Sequence, residues 1–214
     1  MNNDVFKPET YFDTKDIFFA DIFEGVENIW EVIPRIGAYI SGQLEKNTTY
    51  ANYNKEDNIF IGEGTVVEEG AKILGPAIIG KNCSISHTAF IRENCIIGDN
   101  AYVGHAVEIK NSVILNNSRV PHLSYVGDSI IGNNVNLGGG AKTANFRLDK
   151  RNVLVKIGDR KIETGLAKFG AILGDNVSIG LNVVLNPGTI LGKDSIVYPL
   201  VSVTGVHERG SVIR

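Results

Sequence analysis

Residues 120 to 145 read VPHLSYVGDSIIGNNVNLGGGAKTAN and gather a histidine, a tyrosine and two asparagines, His122, Tyr125, Asn136 and Asn145. A neutral imidazole can take a proton at cellular pH, and a phenol and two amides supply directional hydrogen bonds to a polar substrate. The run Gly138 to Gly140 adds backbone that a ligand can approach closely, because no side chain stands in the way. Together they mark the stretch as the candidate active site. The surrounding elements must hold it in place.

Those elements announce themselves by a period of six. Ile61, Val67, Ile73, Ile79, Ile85, Ile91, Ile97, Val103, Ile109 and Leu115 recur at every sixth position. A small or β-branched residue follows four positions after each, as in Ala71, Cys83, Ala89, Cys95 and Ala101. Neither a helix nor a long strand has this period; short strands joined by tight turns do, each sending one large and one small side chain inward. Three such strands close a triangular coil of about 18 residues, and coils stack as parallel strands about 4.8 Å apart. The phase returns at Leu173, Ile179, Leu185, Leu191, Val197 and Val203, giving about seven coils in all. Cys83 and Cys95 fall in the small inward slot on different walls, which argues against a disulfide or a metal pair.

Between the two runs the pattern fails. Counting on from Leu115 puts Arg119 in the small slot and Pro121 in the aliphatic slot, so the coil must bulge or lose a residue there, unless Pro121 marks only a corner. His122 and Tyr125 are then displaced toward a groove. One coil length separates Arg92 from Lys110, which stack on one wall; an anion between them, such as a phosphate, would relieve their repulsion, and two solvated cations pointing apart is the other reading. Glu108 lies on the same strand face as Lys110 and could reach toward the histidine. His87 and His105 are also one coil apart, each in a turn, where they are either exposed or part of a metal site.

Residues 1–58 carry the helical signal. Thr14 could cap a helix through KDIFFADIFEG with Ile17, Phe18, Ile22 and Phe23 on one face, ended by Gly25. A second segment from Val26 is interrupted by Pro34, which fits a kink or a fresh first turn, and its stripe of Trp30, Ile33, Ile36 and Ile40 reads as packing on the main domain. The polar run 46–57 reads as a linker or surface loop. From 146 to 170 the repeat is absent, and VLVKI, a Gly-Asp turn and KIETG predict a protruding basic hairpin.

Composition sets outer bounds. A net charge of −3 excludes a generally basic nucleic-acid binder, and no run approaches a membrane span. MNNDVFKPET lacks the marks of a signal peptide, and two cysteines without one suggest a reducing cytoplasm.

The run VEIKNSVILNNSRVPHLSYVGDSIIGNNVNLGGGAKTAN resembles the acetyltransferase domain of bacterial bifunctional N-acetylglucosamine-1-phosphate uridylyltransferases. It is closer still to the archaeal sugar-1-phosphate nucleotidylyltransferase/amino-sugar acetyltransferases, which share PHLSYVGDS, the TAN-hydrophobe-R stretch and the basic hairpin. The resemblance spans about residues 59 to 205 and implies an all-β, left-handed parallel β-helix of the hexapeptide-repeat family. On this reading 1–58 is a helical segment and linker, 59–205 the acetyltransferase domain with 146–170 inserted, and 206–214 a tail.

The resemblance implies an acetyl-CoA-dependent N-acetyltransferase of an amino-sugar 1-phosphate, glucosamine or galactosamine, working as a homotrimer with sites between neighbouring β-helices. His122 becomes the general base, supported by Glu108; Arg92 and Lys110 hold phosphate; Tyr125, Asn136 and Asn145 contact the sugar. Gly139 and Arg151 are expected at the acetyl-CoA, Arg151 standing where bacterial members have lysine. No metal is expected. Phe146 in place of a tyrosine and GGGA in place of GAGT depart from the family pattern and leave the choice of amino sugar open. The residues ahead of the repeats are too few for a uridylyltransferase domain, so nucleotidyl transfer is not expected of this chain. Two other readings stand beside this one. The first is a metalloenzyme resembling the γ-carbonic anhydrases, using His87 and His105, with or without His122. The second is a non-catalytic sugar-nucleotide binder or a partner of a separate nucleotidylyltransferase.

Overall fold

The computed structural model describes residues 3–46, 53–54 and 57–214; most of the polar run at 46–57, read as a linker, lies outside them. From Ile59 onward the chain winds through short strands that stack into three parallel sheets. The first face holds eight parallel strands, from Ile59–Ile61 to Val206–His207, plus an antiparallel edge strand at Tyr53–Asn54. The second runs from Val66–Val67 to Val212–Ile213 in eight strands, and the third from Lys72–Ile73 to Ser202–Val203 in seven. This is the parallel β-helix expected, with more than the seven coils counted from sequence. The reason is that residues 206–214, expected as a tail, continue the stack: Val206 pairs with Ile190 and Val212 with Ile196.

The inward residues are those the period of six picked out. Ile79, Ile85, Ile91, Ile97, Val103 and Ile109 are fully buried, with Cys83, Ala89, Cys95 and Ala101 filling the narrower slots. Both cysteines are free and buried. Corners demand left-handed backbone, and asparagine tolerates it best among residues with side chains. Asn82, Asn94, Asn100, Asn117, Asn134, Asn176 and Asn182 all have positive φ. At one edge the amides also bond from coil to coil, Asn100 Nδ2 to Asn117 Oδ1 at 3.2 Å and Asn134 Nδ2 to Asn176 Oδ1 at 3.2 Å.

The disturbance proves to be a loss of residues, at a place earlier than Pro121. Glu108 pairs with Phe90, eighteen residues back, but Ser112 pairs with Cys95, only seventeen back. The turn at Lys110-Asn111 is therefore one residue short. A second shortened coil follows, since Tyr125 pairs with Glu108 and Ile130 with Val113, each seventeen residues apart. After the first slip the inward positions are Ile114, Ser118 and Val120, so Leu115, the tenth aliphatic of the sequence count, faces out of the solenoid. Arg119 likewise points outward, its guanidinium 4.8 Å from the Tyr102 ring centroid.

On the first face even the outward side chains are apolar: Phe60, Ile78, Ile96, Val113, Ile130, Ile172 and Ile190. Two elements cover them. The N-terminal segment contributes Trp30, Ile33, Ile36 and Ile40, all buried, from a 3₁₀ turn Ile29–Arg35 and a helix Ile36–Lys46. Pro34 sits at the end of the former, where a missing N–H costs little. The helix expected after Thr14 is instead a series of turns with a 3₁₀ turn at Ala20–Phe23. Phe19 is buried there and Phe18 is exposed, because the segment lies flat and presents apolar groups on a spacing that no α-helix has. The second cover is the hairpin, Leu154–Ile157 paired with Arg160–Glu163. It was expected to protrude; it folds back, burying Val153 and Val155 in the same cluster.

Candidate active site

The shortened corners gather polar groups on the third face. Lys110 stands in register with Gly127, and Glu108 with Tyr125. Arg92 follows Ile91, as Lys110 follows Ile109, so the stacking inferred from coil counting is present. The two cations already have acidic partners. Arg92 Nη1 donates to Glu108 Oε1 at 3.0 Å, which raises the arginine pKa, with burial opposing, and Glu93 lies 3.7 Å from Nη2. Lys110 Nζ is 3.8 Å from Asp128 Oδ2. Glu108, expected to support the histidine, accepts this hydrogen bond from Arg92.

Asp128 is the residue that sequence reasoning missed. It is only 4 % exposed, and its carboxylate accepts from Asn111 Nδ2 at 2.9 Å and Asn145 Nδ2 at 2.5 Å while facing Lys110. Its φ is +49°, and Asn111, one coil below, has +43°, so the two occupy the left-handed positions of the two shortened corners. A count that recognised the slip would have found it, since Asp and Asn are the side chains such corners favour. Asn145 Nδ2 also donates to Tyr125 Oη at 3.1 Å. The phenol folds over Gly127, where an added Cβ would overlap Oη and come within 2.8 Å of Asn145 Nδ2. Partial burial is the main cause that raises the Tyr125 pKa, so the phenol stays a donor across the neutral range.

His122 sits at the corner leading from the second face into the strand Tyr125–Gly127, with its side chain exposed. Its ring lies 5.1 Å from that of His105, which in turn stacks on His87 at 5.5 Å with planes 5° apart. The imidazoles present faces, rather than converging nitrogens, to one another; among the described residues no group of three His, Cys, Asp or Glu could hold a metal ion. Above His122, one coil on, is Gly139, where a Cβ would stand 3.4 Å from His122 Cδ2 and 3.5 Å from Leu181 Cδ2. The N–H groups of Gly138 and Gly140 donate to the carbonyls of Ile179 and His122. Among the described residues, that of Gly139 is the one of the three with no protein acceptor.

The remaining expected site residues lie elsewhere in the chain. Asn136 is on the second face, in register with Arg119 and Ser178. Arg151 is in the excursion, exposed and bonded through Nε to Asp149 Oδ2 at 3.0 Å. It borders a cavity of about 370 Å³ with Arg147, Lys150, Asn152, Leu154 and Glu163. Arg147 and Arg151 hold the Asp149 carboxyl well below the usual carboxylate range, the Arg147 hydrogen bond contributing most. One chain thus brings Arg92, Glu108, Lys110, Tyr125, Asn145 and Asp128 together with His122 at the adjoining corner, and leaves Asn136 and Arg151 apart from them.

Residues 73–197 match the family model described as the GMPPB C-terminal domain. The bifunctional protein GlmU of Methanococcus vannielii is 38% identical over 158 residues, covering 74% of this chain and 37% of its own. A bifunctional sugar-1-phosphate nucleotidylyltransferase/acetyltransferase of Sulfurisphaera tokodaii is 40% identical over 152 residues, covering 68% of this chain and 38% of its own. The chain thus spans little more than a third of the length of these two relatives. It spans 81% of YaiX of Escherichia coli K12, whose name describes it as an uncharacterized acetyltransferase, at 34% identity over 192 residues.

Proposed function

The chain belongs to the GMPPB C-terminal domain family, and from that premise we propose that it is an acetyl-CoA-dependent N-acetyltransferase of an amino-sugar 1-phosphate. The observation that carries the proposal is the exposed imidazole of His122 beside the polar cluster of Arg92, Lys110, Tyr125 and Asn145. Relatives whose names pair sugar-1-phosphate chemistry with acetyl transfer support it.

Acetyl-CoA supplies the acetyl group as a thioester. A Cβ at Gly139 would already touch His122 and Leu181, so glycine keeps the backbone there open to close approach, and its uncommitted N–H suits a carbonyl oxygen that gains negative charge. His122 takes the proton from the sugar amine as its nitrogen bonds to the acetyl carbon. The carbon–sulfur bond breaks, and the same imidazolium returns the proton to the departing thiolate. Proton transfer of this kind contributes about 10²- to 10⁴-fold. Arg92 and Lys110 present cationic groups to a substrate phosphate, while Glu108 and Asp128 keep them extended and in register. Tyr125 and Asn145 direct hydrogen bonds toward the sugar hydroxyls.

Asn136 and Arg151 lie on other parts of the surface, and we propose a homotrimer in which neighbouring chains bring them to one another's sites. Two free buried thiols fit a cytoplasmic setting.

Thiol release is measured with acetyl-CoA and either glucosamine 1-phosphate or galactosamine 1-phosphate, beside His122→Ala. Turnover with one of the sugars, lost about 10²-fold or more in the variant, is the expected result. Full turnover by His122→Ala refutes the assignment of the base. No release from any amino-sugar phosphate, with retained binding, favours a non-catalytic binder.

A further inference from the structure

We propose that His105 is the positioning residue for His122, holding its imidazole by ring contact at the top of a three-histidine column; this rests on His122 being the base. His87, His105 and His122 occupy the same turn position in three successive coils. The lower end of the column is tied down: Glu68 Oε2 accepts from the His87 backbone N–H at 2.7 Å and lies 3.2 Å from His87 Nδ1. The His105 ring lies parallel to that of His87, and the His122 ring rests on His105 at 5.1 Å with a 42° tilt. Among the described residues the His122 imidazole has no hydrogen-bond partner, so the ring contact is what restricts its side-chain torsions. One ring face is thereby backed by protein. The ring's Cδ2 edge lies 3.4 Å from where a Cβ on Gly139 would stand, beside the position proposed for the reactants.

The corner itself shows why rings carry this task. At the neighbouring edge, amides of left-handed asparagines bond from coil to coil. Here the left-handed positions are held by Thr88, Ala106 and Leu123, with φ of 59°, 52° and 60°. Ala106 and Leu123 offer no polar side-chain atom, so no amide ladder forms. Leucine in that conformation is strained, a feature that collects at functional sites. For a general base the orientation of the lone pair decides the rate, and a ring free to turn is misdirected for part of the time.

The test compares His105→Ala with His105→Phe, with circular dichroism to check that each folds. We expect Ala to lower kcat by about 3- to 10-fold, the preference a ring contact confers, with KM for the amino-sugar phosphate unchanged. Phe, which keeps a ring but no nitrogen, restores kcat to within about twofold. Equal loss in both variants, or no loss in Ala, overturns the proposal. A readout that needs no substrate is the proton spectrum of the His122 ring. Its ring-current shift should vanish in His105→Ala and persist in His105→Phe. If no amino-sugar phosphate is acetylated at all, the reading of function fails, while the spectrum still decides whether His105 orients the ring.

Discussion

Asp128 offers the sharpest handle on how the site is held. In Asp128→Ala the carboxylate is removed from three partners at once: Asn111 Nδ2 at 2.9 Å, Asn145 Nδ2 at 2.5 Å and Lys110 Nζ at 3.8 Å. The Lys110 side chain is 18% exposed and that of Asp128 5%, so water replaces the lost partner only in part. A charge pair at that distance and an effective dielectric constant of 20 interacts by about 4 kcal/mol, most of which offsets the desolvation of the two ions. Leaving two amide donors and an ammonium short of an acceptor costs about 1 to 3 kcal/mol each where they remain shielded. Alanine at φ +49° adds about 1 kcal/mol of backbone strain. Partial rehydration of Lys110 and rotation of both amides reduce the sum, and we expect a net loss of about 3 to 4 kcal/mol. Asp128→Asn keeps an acceptor oxygen and tolerates the left-handed backbone, so it should lose about half as much. Urea midpoints at one fixed protein concentration, so that the proposed assembly contributes equally to each variant, measure both. An Ala variant within about 0.5 kcal/mol of the parent would refute the view that this carboxylate organises the cluster.

Three further outcomes follow from the same geometry. Gly127→Ala should push the Tyr125 phenol and Asn145 amide aside, raising KM for the proposed sugar-phosphate substrate several-fold and lowering stability by about 1 kcal/mol through the loosened Asn145–Asp128 hydrogen bond. Trp30→Ala should cost about 3 to 5 kcal/mol and increase dye binding to apolar surface, since the indole is 3% exposed and faces Phe6 and Phe169 across the covered wall. Burial pushes the Cys95 thiol from 9.0 up to about 12, and the Tyr11 phenol from 10.0 up to about 12. Both folded values lie above the unfolded ones, so this stabilisation is complete below pH about 9 and is lost as pH rises toward 12. Urea midpoints between pH 8 and 10.5 should therefore fall, and Cys95→Ala should flatten the slope.

The β-helix was legible because its core repeats. A six-residue period of inward aliphatics is a local signal that survives without knowledge of partners, and it located Arg92 one coil below Lys110 correctly. The slip was harder to read. Leu115 continues the apolar pattern by chance of composition, since it packs against the outer cover, so the count ran one residue past the true inward position, Ile114, and moved the fault to Pro121. Asp128 stayed hidden for that reason. The cover itself left a fainter trace, an outward apolar residue about once per coil at Ile78, Ile96, Val113 and Ile130, which a search at period six cannot separate from the core. The N-terminal turns were misread as a helix because aromatic density mimicked an amphipathic face.

The excursion after Asn145 also says something about how such a chain can change over time. Ile130 and Ile172 are neighbours in register although 42 residues separate them, and Ile190 then pairs with Ile172 at the ordinary eighteen. The winding resumes in phase on the far side, so material looped out at a corner leaves later coils undisturbed. Deletions at Asn111 and Asp128 behave alike: each shortens one turn and passes no error onward. Corners of this solenoid are therefore sites where length can drift neutrally, one residue or two dozen at a time, while the walls stay fixed. New binding surface can accumulate there without a matching change in the core.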